Sequence, residues 1–336
     1  MSKEVKFHKE DFKLIGIQSD LNKERKAVAP SFWKDVFHRF KSNKVAFAGF
    51  IIIMIIILLA IIAPMLSNLS YDTIHTAHQN IPPRVPILEN FGILDGKVDG
   101  VDIYASKGIK DTFYLFGTDT LGRDLWVRTW EGTRISLFVA LVAVVIDIVF
   151  GMTYGLISGY FGGKVDNIMQ RIQEIVNSIP SLVILTLLLL VMEPSLNTII
   201  IALMITGWIG MSRITRAEVL KLKEKEFILA SRTLGATNFF ILVKEVIPNI
   251  FGQIIIMSMF SIPNAIFYEA FLAFVGLGIP APAASLGSLI NDGFESIQVS
   301  PYMVIIPVVV LAILMLSFNM MADGLHDAFD PKQKEM

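Results

Sequence analysis

The chain has 336 residues, of which 54% are hydrophobic and 18% are charged, and its mean hydropathy is +0.61. Charged side chains are too few to cover soluble domains of this total length, so the composition indicates a membrane protein. The net charge of -1 offers no basic excess for binding a nucleic-acid backbone, and the lack of cysteine excludes disulfides, thiolate metal sites and cysteine nucleophiles.

Six apolar segments are long enough, alone or with flanking residues, to cross a membrane. The first, residues 45–66, carries no charge and follows a mostly polar stretch, which predicts an uncleaved anchor and not a secretory signal. The others are residues 135–157, 179–192, 196–211, 250–279 and 301–321, and the amphipathic residues 165–178 lengthen the third. We therefore predict an all-α polytopic membrane protein with six transmembrane helices.

The distribution of Lys and Arg predicts the orientation of these spans. Residues 213–245 are rich in basic side chains and residues 277–301 have none, which places 213–245 in the cytoplasm. With six spans, the N-terminal tail 1–44 and the C-terminal tail 323–336 are then cytoplasmic too. Residues 67–134 form an extracellular loop, which is long enough to be translocated regardless of its own charges.

Turn-forming residues in this loop predict short ordered pieces similar to hairpins, at Pro82-Pro83, Asp95-Gly96 and Asp99-Gly100. His75 and His78 lie close together in the same loop. No third metal ligand is near them in sequence, so we expect two solvated histidines and no metal site.

A glycine occurs at every fourth position along the second span and just beyond it. These residues, Gly151, Gly155, Gly159 and Gly163, share one helix face and predict close packing against another helix. Asp147 lies one turn earlier on that stripe, and because a carboxylate facing lipid is costly, it must point into the bundle. Two roles stay open for Asp147. It is either a functional carboxylate, in a pathway or a proton relay, or a structural group that is hydrogen-bonded to a neighbouring helix.

Polar residues also interrupt the fifth span, which contains Ser258, Ser261, Pro263, Asn264 and Glu269. Pro263 removes one backbone hydrogen bond, so we expect a kinked helix that lines something polar. Asn264 and Glu269 are candidate pathway residues. For Glu269 there is an alternative position at the outer interface, because it lies far along the helix.

Residues 216–249 predict a helix–turn–helix elbow. Phe227, Ala230, Ser231 and Leu234 share the spacing of one helix face, and Gly235 follows as a helix C-cap. Thr237 is a cap for a second helix, and Pro248-Asn249 begin the next span. An elbow with small residues at its bend is suited to insertion into a groove on a partner; a linker helix on the membrane surface is the alternative.

Nothing in the sequence fits a nucleotide-binding loop. Gly163-Lys164 has Ser158 where that motif needs glycine and Val165 where it needs Ser or Thr. Any ATPase that drives transport is therefore expected on another polypeptide.

The elbow carries a resemblance to a known family. Ala230-Ser231-x-x-x-Gly235 followed by Ile247-Pro248 resembles the EAA signature of ABC importer permeases, the loop that docks into the separate ATPase subunit. Leu229 stands where the family usually has Glu, and Glu226 lies one turn earlier. Five further blocks, at 116–124, 132–137, 158–171, 269–278 and 318–332, resemble the C-type permease subunit of peptide/nickel importers, and residues 71–115 look most similar to the oligopeptide branch of Gram-positive bacteria.

The resemblance implies a type I ABC importer permease fold in the bacterial cell membrane, with a core at 135–322 and a coupling loop at 216–248. It implies a heterodimer with a homologous permease, two cytoplasmic ATPases that hold ATP and Mg, and an extracellular protein that delivers peptide. This chain would have no catalytic residue, cofactor or metal of its own. The coupling residues would be Glu226, Phe227, Ala230, Ser231, Leu234, Gly235, Ala236 and Pro248.

Three alternative functions remain. The first is a dipeptide or nickel importer permease, which belongs to the same family. An ion-coupled secondary transporter would usually show internal repeats with broken helices and needs no elbow. An intramembrane enzyme that used Asp147 and Glu269 as an acid–base pair would need the two carboxylates within hydrogen-bond reach, and they lie on different spans.

Overall fold

The computed structural model of the protein describes residues 32–67, 69–109 and 112–329. Most of the tail 1–44 and the last part of the tail 323–336 lie outside these ranges. The helices are α1 (Phe32–Ser42), α2 (Lys44–Leu66), α3 (Ile103–Ser106), α4 (Leu125–Phe161), α5 (Gly163–Ser178), α6 (Ser181–Val191), α7 (Leu196–Leu222), α8 (Glu226–Thr233), α9 (Asn238–Leu277), α10 (Leu286–Phe294) and α11 (Tyr302–Phe329). Short 3-10 helices at Thr76–His78 and Leu88–Phe91 and an antiparallel pair, β1 (Lys97–Val98) and β2 (Val101–Asp102), lie between α2 and α4.

Within the described residues, five helices are long and apolar enough to cross a membrane: α2, α4, α7, α9 and α11. Helices α5 and α6 are bent by 75° at the residues that join them, and together they can form a sixth span. The predicted all-α membrane fold is therefore confirmed, and the third predicted span corresponds to this bent pair, which is either a broken span or a re-entrant loop. Its bend lies at Pro180, whose missing N–H and fixed φ favour a helix break.

Three spans are longer than their hydropathy suggested. Helix α4 begins at Leu125 and not at residue 135, because the Asp124 carboxylate caps it by accepting from the Trp126 N–H at 2.9 Å. Helix α7 continues past residue 211 to Leu222, and α9 begins at Asn238 and not at residue 250. In each case charged or polar residues occupy the end of the helix, so a span predicted from apolar residues alone stops before the helix does.

Helix α9 runs without a break through Pro248 and Pro263, so the expected start of a new helix at Pro248 is wrong. A wide π-helical turn at Ile241–Val246 precedes Pro248. Proline cannot donate the backbone hydrogen bond of a regular helix, and a wide turn before it accommodates that loss. The second arm of the elbow and the fifth span are therefore one continuous helix.

The bundle has two ends, which we name by what lies there. At the loop end, the Tyr302 hydroxyl at the start of α11 donates to the Thr118 carbonyl of the loop at 2.9 Å. At the same end, Arg128 near the start of α4 donates at 3.3 Å to the Pro282 carbonyl, which lies between α9 and α10. At the elbow end, α1 packs on α9 and α11 through Trp33, whose ring centroid lies 5.9 Å from that of Phe251.

The main core joins α2, α4, α7, α9 and α11 along the bundle axis. Its buried members include Ile53, Ile56, Trp130, Val139, Ile199, Ile266, Leu314 and Phe318. A second core at the elbow end joins α4, α7, α8 and α9 through residues that include Leu156, Val219, Ile228, Ile241 and Ile250. The elbow is thus packed onto the bundle along one side.

The loop between α2 and α4 folds around its own small core of Ile81, Tyr104 and Tyr114. The Tyr104 hydroxyl donates to the Pro82 carbonyl at 2.9 Å. Asp99 and Gly100, both with positive φ, form the turn between β1 and β2, which is the conformation that a two-residue hairpin turn requires. The predicted hairpin-like piece at Asp99-Gly100 is therefore confirmed.

Candidate coupling elbow and transport cavity

Helix α8 presents an apolar face to its surroundings. Phe227 is 43% exposed and Leu234 is 88% exposed, while Ile228, on the opposite side, is fully buried against the elbow-end core. Ala230 and Glu226 are also exposed, and Ser231 is half-buried. The face with the predicted helical spacing is therefore the one that no part of the described chain covers.

The bend after α8 has the predicted capping geometry. Gly235 adopts φ 84°, its N–H donates to the Arg232 carbonyl at 3.1 Å, and the Ala236 N–H donates to the Ser231 carbonyl at 3.1 Å. Thr237 then caps α9 by accepting from the Phe240 N–H at 3.2 Å. Phe239 follows at 75% exposure, so the bend continues the apolar surface of α8.

Three contacts fix the elbow to the helices beneath it. The Ser231 hydroxyl hydrogen-bonds the Glu245 carboxylate on α9. The Arg232 guanidinium lies 5.5 Å from the ring centroid of Tyr160 on α4, and the Tyr160 hydroxyl donates to Asn238 at 2.9 Å. These contacts join the elbow to both α4 and α9.

The glycine stripe of α4 packs against α7 of the same chain. A Cβ at Gly151 would lie 2.7 Å from the Trp208 carbonyl oxygen, one at Gly155 2.4 Å from that of Ser212, and one at Gly159 2.9 Å from the Val219 Cβ. The helix against which this face packs is therefore α7 of the same chain. Gly163 does not belong to this face, because α4 ends at Phe161 and nothing lies within 4 Å of a Cβ there.

A cavity of about 480 Å³ lies between α4, α5, α7 and α9. Asp147 and Asn264 both line it, together with Asn177 and Ser261. Asp147 is 5% exposed and begins a π-helical turn, Asp147–Met152, in α4. The sequence thus led to two residues on different helices that the fold brings to one cavity.

Glu269 lies elsewhere. It is fully buried, and its Oε2 accepts from the Ser136 hydroxyl on α4 at 2.9 Å. It neither lines the cavity nor reaches the outer interface, the two positions expected from sequence. The small residues around it, such as Gly132 beside the Ser285–Leu286 backbone, let α4 and α10 approach closely.

Two ionic networks were not predicted. At the elbow end, Arg216 on α7 holds the Asp166 carboxylate on α5 with two bonds of 2.7 and 2.6 Å, and Ser158 on α4 donates to the same carboxylate at 2.5 Å. This arrangement joins three helices. The only sequence signal for it is a pair of opposite charges near the ends of apolar runs.

The second network lies at the loop end. Arg128 is 1% exposed, with its Nε 3.5 Å from Asp119 and its Nη2 3.6 Å from Asp292. Arg123 Nε bonds Asp119 at 2.6 Å. Burial raises the pKa of Asp292, while Arg128 and Arg123 act to lower it. The network ties the loop to α4 and α10.

His75 and His78 are half-buried, so the expectation of two solvated histidines is wrong. Their rings stack with centroids 5.4 Å apart, and His78 Nδ1 lies 2.6 Å from the Tyr114 hydroxyl. Burial lowers the pKa of His78, and the charge of His75 adds to this effect. In the part of the chain that the structure describes, no group of three or more His, Cys, Asp or Glu residues could hold a metal ion.

Comparisons with known proteins agree with this architecture. Residues 151–335 match the family described as the binding-protein-dependent transport system inner membrane component, and residues 31–83 match the N-terminal TM domain of oligopeptide transport permease C. The oligopeptide transport system permease protein OppC of Bacillus subtilis (strain 168) is 44% identical over 91% of this chain and 91% of its own length. The dipeptide transport system permease protein DppC of Lactococcus lactis subsp. cremoris (strain MG1363) is 43% identical over 97% of this chain and 98% of its own.

A solved structure shares the fold. The inward-facing MetNI methionine ABC transporter has a chain that aligns with a TM-score of 0.51 and 20% identity, over 60% of this chain and 97% of that one. The family match covers more than half of the sequence, and the relatives align with nearly all of it. The chain therefore belongs to the family of binding-protein-dependent transport system inner membrane components.

Proposed function

We propose that this chain is the transmembrane permease subunit of an ATP-driven oligopeptide importer. It would form half of the translocation path with a homologous permease and couple that path to two separate ATPases. An extracellular peptide-binding protein would deliver the substrate. The observation that carries the proposal is the elbow, whose exposed apolar face is rigidly joined to the two helices that supply Asp147 and Asn264 to the cavity.

The geometry supports a lever mechanism. Asn238 at the elbow and Asn264 at the cavity lie on one continuous helix, 26 residues and about 39 Å apart at a rise of 1.5 Å per residue. A shift of the elbow when the ATPases close would therefore move the cavity wall without being absorbed in a loop. The Tyr160 contacts would move α4 in the same step.

The docking role is assigned to the residues of the coupling set that the fold leaves exposed and to the exposed Phe239 beside them, which was not predicted from sequence. Phe227, Leu234 and Phe239 would fill an apolar groove on the ATPase, and Gly235 would allow close approach of the backbone at the bend. Ser231 would act differently from the others, because its hydroxyl is engaged with Glu245. Pro248, in the body of α9, would stiffen the lever and would not contact the ATPase.

The orientation follows from the elbow. If the elbow meets cytoplasmic ATPases, then α1 and the end of α11 are cytoplasmic as well, since all three lie at the same end. The loop end, with residues 67–124, would then face outward and meet the peptide-binding protein. The excess of basic residues in 213–245 supports the same orientation.

An uptake assay tests the proposal. The complex of this chain with its homologous permease, ATPases and binding protein would be reconstituted in vesicles and offered labelled peptides of two and of five residues. We expect uptake that requires ATP hydrolysis and survives collapse of ion gradients. Uptake that needs an ion gradient and no ATP would overturn the importer assignment. Dipeptide transport is the second candidate because a dipeptide permease is 43% identical, and uptake of the two-residue peptide alone would favour it.

A further inference from the structure

The cavity between α4, α5, α7 and α9 contains one acidic side chain and no basic one. Among the described residues that line it, the polar groups are Asp147 together with neutral side chains of Asn177, Ser181, Thr206, Ser261, Asn264 and Tyr268. Asp147 is 95% buried, since only 5% of its surface is exposed. The side chain that acts on it electrostatically is the neutral Ser261 hydroxyl, which lines the same cavity.

This carboxylate is therefore not paired with a cation of the described chain. The ion pairs of the described residues involve other carboxylates; one of them is Asp166 at the elbow end, which is held by Arg216. Burying an unpaired carboxylate between helices is expensive, and such residues in membrane spans are usually associated with function. A site of this kind is completed by a ligand that brings the missing positive charge.

The other groups around the cavity are acceptors suited to the same ligand. The Tyr268 hydroxyl is buried without a hydrogen-bond partner in the described structure. Asn264 uses its Nδ2 to donate to the Phe260 carbonyl at 3.0 Å, which leaves its Oδ1 as a free acceptor. An ammonium group has three N–H donors and no acceptor, which matches these acceptors, and aromatic Phe260 and Tyr268 also line the cavity.

A divalent metal fits the site less well than an ammonium group. Such ions prefer several charged or imidazole ligands, and no group of three His, Cys, Asp or Glu residues is found in the described part of the chain. A single carboxylate among neutral acceptors carries enough charge for one monovalent cation.

We propose that Asp147 forms a binding site for ammonium groups and receives the α-ammonium of a peptide during its passage. This inference rests on the proposed importer function for the identity of the substrate, and on the cavity alone for the chemistry of the site. Asp147 binds the positive end of the peptide, and Asn264 and Tyr268 accept its remaining N–H groups. Among the described residues that line the cavity, no basic side chain is available to bind the anionic end of the peptide.

The charge preference of the cavity can be measured without transport. Thr206→Cys places a thiol of similar size on the α7 wall of the cavity and leaves the proposed ligand groups intact. The chain has no native cysteine, so that thiol is the only one in it that reacts. The purified complex in detergent is treated with aminoethyl methanethiosulfonate, a cationic ammonium reagent, and with the anionic sulfonatoethyl reagent, and the mass shift of this chain gives both rates.

We expect the ratio of the cationic to the anionic rate, relative to free cysteine, to be raised about tenfold at Thr206→Cys. Adding Asp147→Asn should abolish that preference. Asp99→Cys on the loop is the control, and its ratio should be the same with and without Asp147→Asn. The proposal is overturned if Thr206→Cys shows no cationic preference, a result that requires no change at Asp147, or if Asp147→Asn leaves the preference intact.

A transport assay tests whether the site recognises the α-ammonium of a peptide and not cations in general. We choose a peptide that the wild-type complex transports in both its free and its N-acetylated form. Uptake of each form into vesicles is then measured for the wild-type and the Asp147→Asn complex. We expect uptake of the free form to fall about tenfold, with the N-acetylated form unchanged. Equal loss of both would mean that Asp147 is structural. If the wild-type complex transports no peptide, the importer assignment fails, while the reagent ratio still reports the site.

Discussion

Gly235 is the residue on which the bend of the elbow depends most directly. Its φ of 84° is a conformation that costs an ordinary residue about 1–2 kcal/mol, and a Cβ there would meet nothing within 4 Å. A side chain at this position therefore projects outward and does not clash with the chain itself. A side chain introduced at Gly235 therefore affects the partner that binds the bend and not the fold of the chain.

We expect Gly235→Asp to lose the ATPases on purification and to reduce peptide uptake at least about tenfold, because it buries a charge against an apolar groove. The chain itself should insert in the membrane normally. Gly235→Asn, which has the same shape without the charge, is the matched control and should retain more of the ATPase. Wild-type copurification and uptake in Gly235→Asp would show that the bend is not a docking surface.

Asp124 predicts a pH dependence at the loop end. Burial raises its pKa to about 6, above the value near 3.9 of an unfolded chain. The neutral form is thus favoured in the folded state, and this stabilisation is complete below pH 4 and is lost as the pH rises through 6.

Asp124→Asn keeps an acceptor for the α4 cap and removes the ionisation. The thermal stability of the purified chain should therefore fall between pH 4.5 and pH 7 more steeply in wild type than in the variant, so that the variant gains relative to wild type at pH 7. Parallel pH profiles of the two proteins would contradict this account.

At the scale of helices, the glycine stripe is a contact between α4 and α7 inside one chain. The predicted spacing correctly indicated a helix-packing face at Gly151, Gly155 and Gly159, but periodicity carries no information about which helix is the partner. It also cannot show that Gly162 and Gly163 adopt positive φ and end the helix. The choice of partner depends on tertiary packing of the whole bundle.

Gly155→Ala should destabilise the chain by about 1–3 kcal/mol, because its Cβ would lie 2.4 Å from the Ser212 carbonyl oxygen and the two helices must separate. Gly210→Ala is the matched control: it is also helical, and a Cβ there has open space. Thermal unfolding in detergent compares the two. Equal stabilities of the two variants would mean that α4 and α7 are not in close contact.

Hydropathy located five of the six predicted spans as single long helices, but it did not locate their ends. Arg128, Glu131 and Arg134 lie in the first turns of α4, where they end an apolar window although the helix continues. Arg216 and Glu218 do the same near the end of α7. Charged residues at span ends find partners such as Asp119 and Asp166, and those partners come from distant segments that a local pattern does not reveal.

At the scale of the molecule, the elbow and the loop lie at opposite ends of the bundle, and the cavity lies between them. Pairing of Asp147 with Asn264 in that cavity follows from the packing of α4 on α9, which the sequence did not predict residue by residue. Helical spacing and capping residues did predict the elbow, because both signals are local in sequence. The side of the membrane on which the elbow lies is a further prediction, because the proposed assembly requires the elbow to face the ATPases.

The orientation can be tested with two cysteines in a chain that has none. Asp99 is in the turn between β1 and β2 at the loop end, and Leu234, 88% exposed, is at the elbow. In intact cells, a membrane-impermeant thiol reagent should label Asp99→Cys and leave Leu234→Cys unlabelled. After the cells are opened, Leu234→Cys should react in chains that have no ATPase bound and be protected in the complete complex. The reverse pattern in intact cells would invert the topology, and it would place the elbow on the side where no ATPase could reach it.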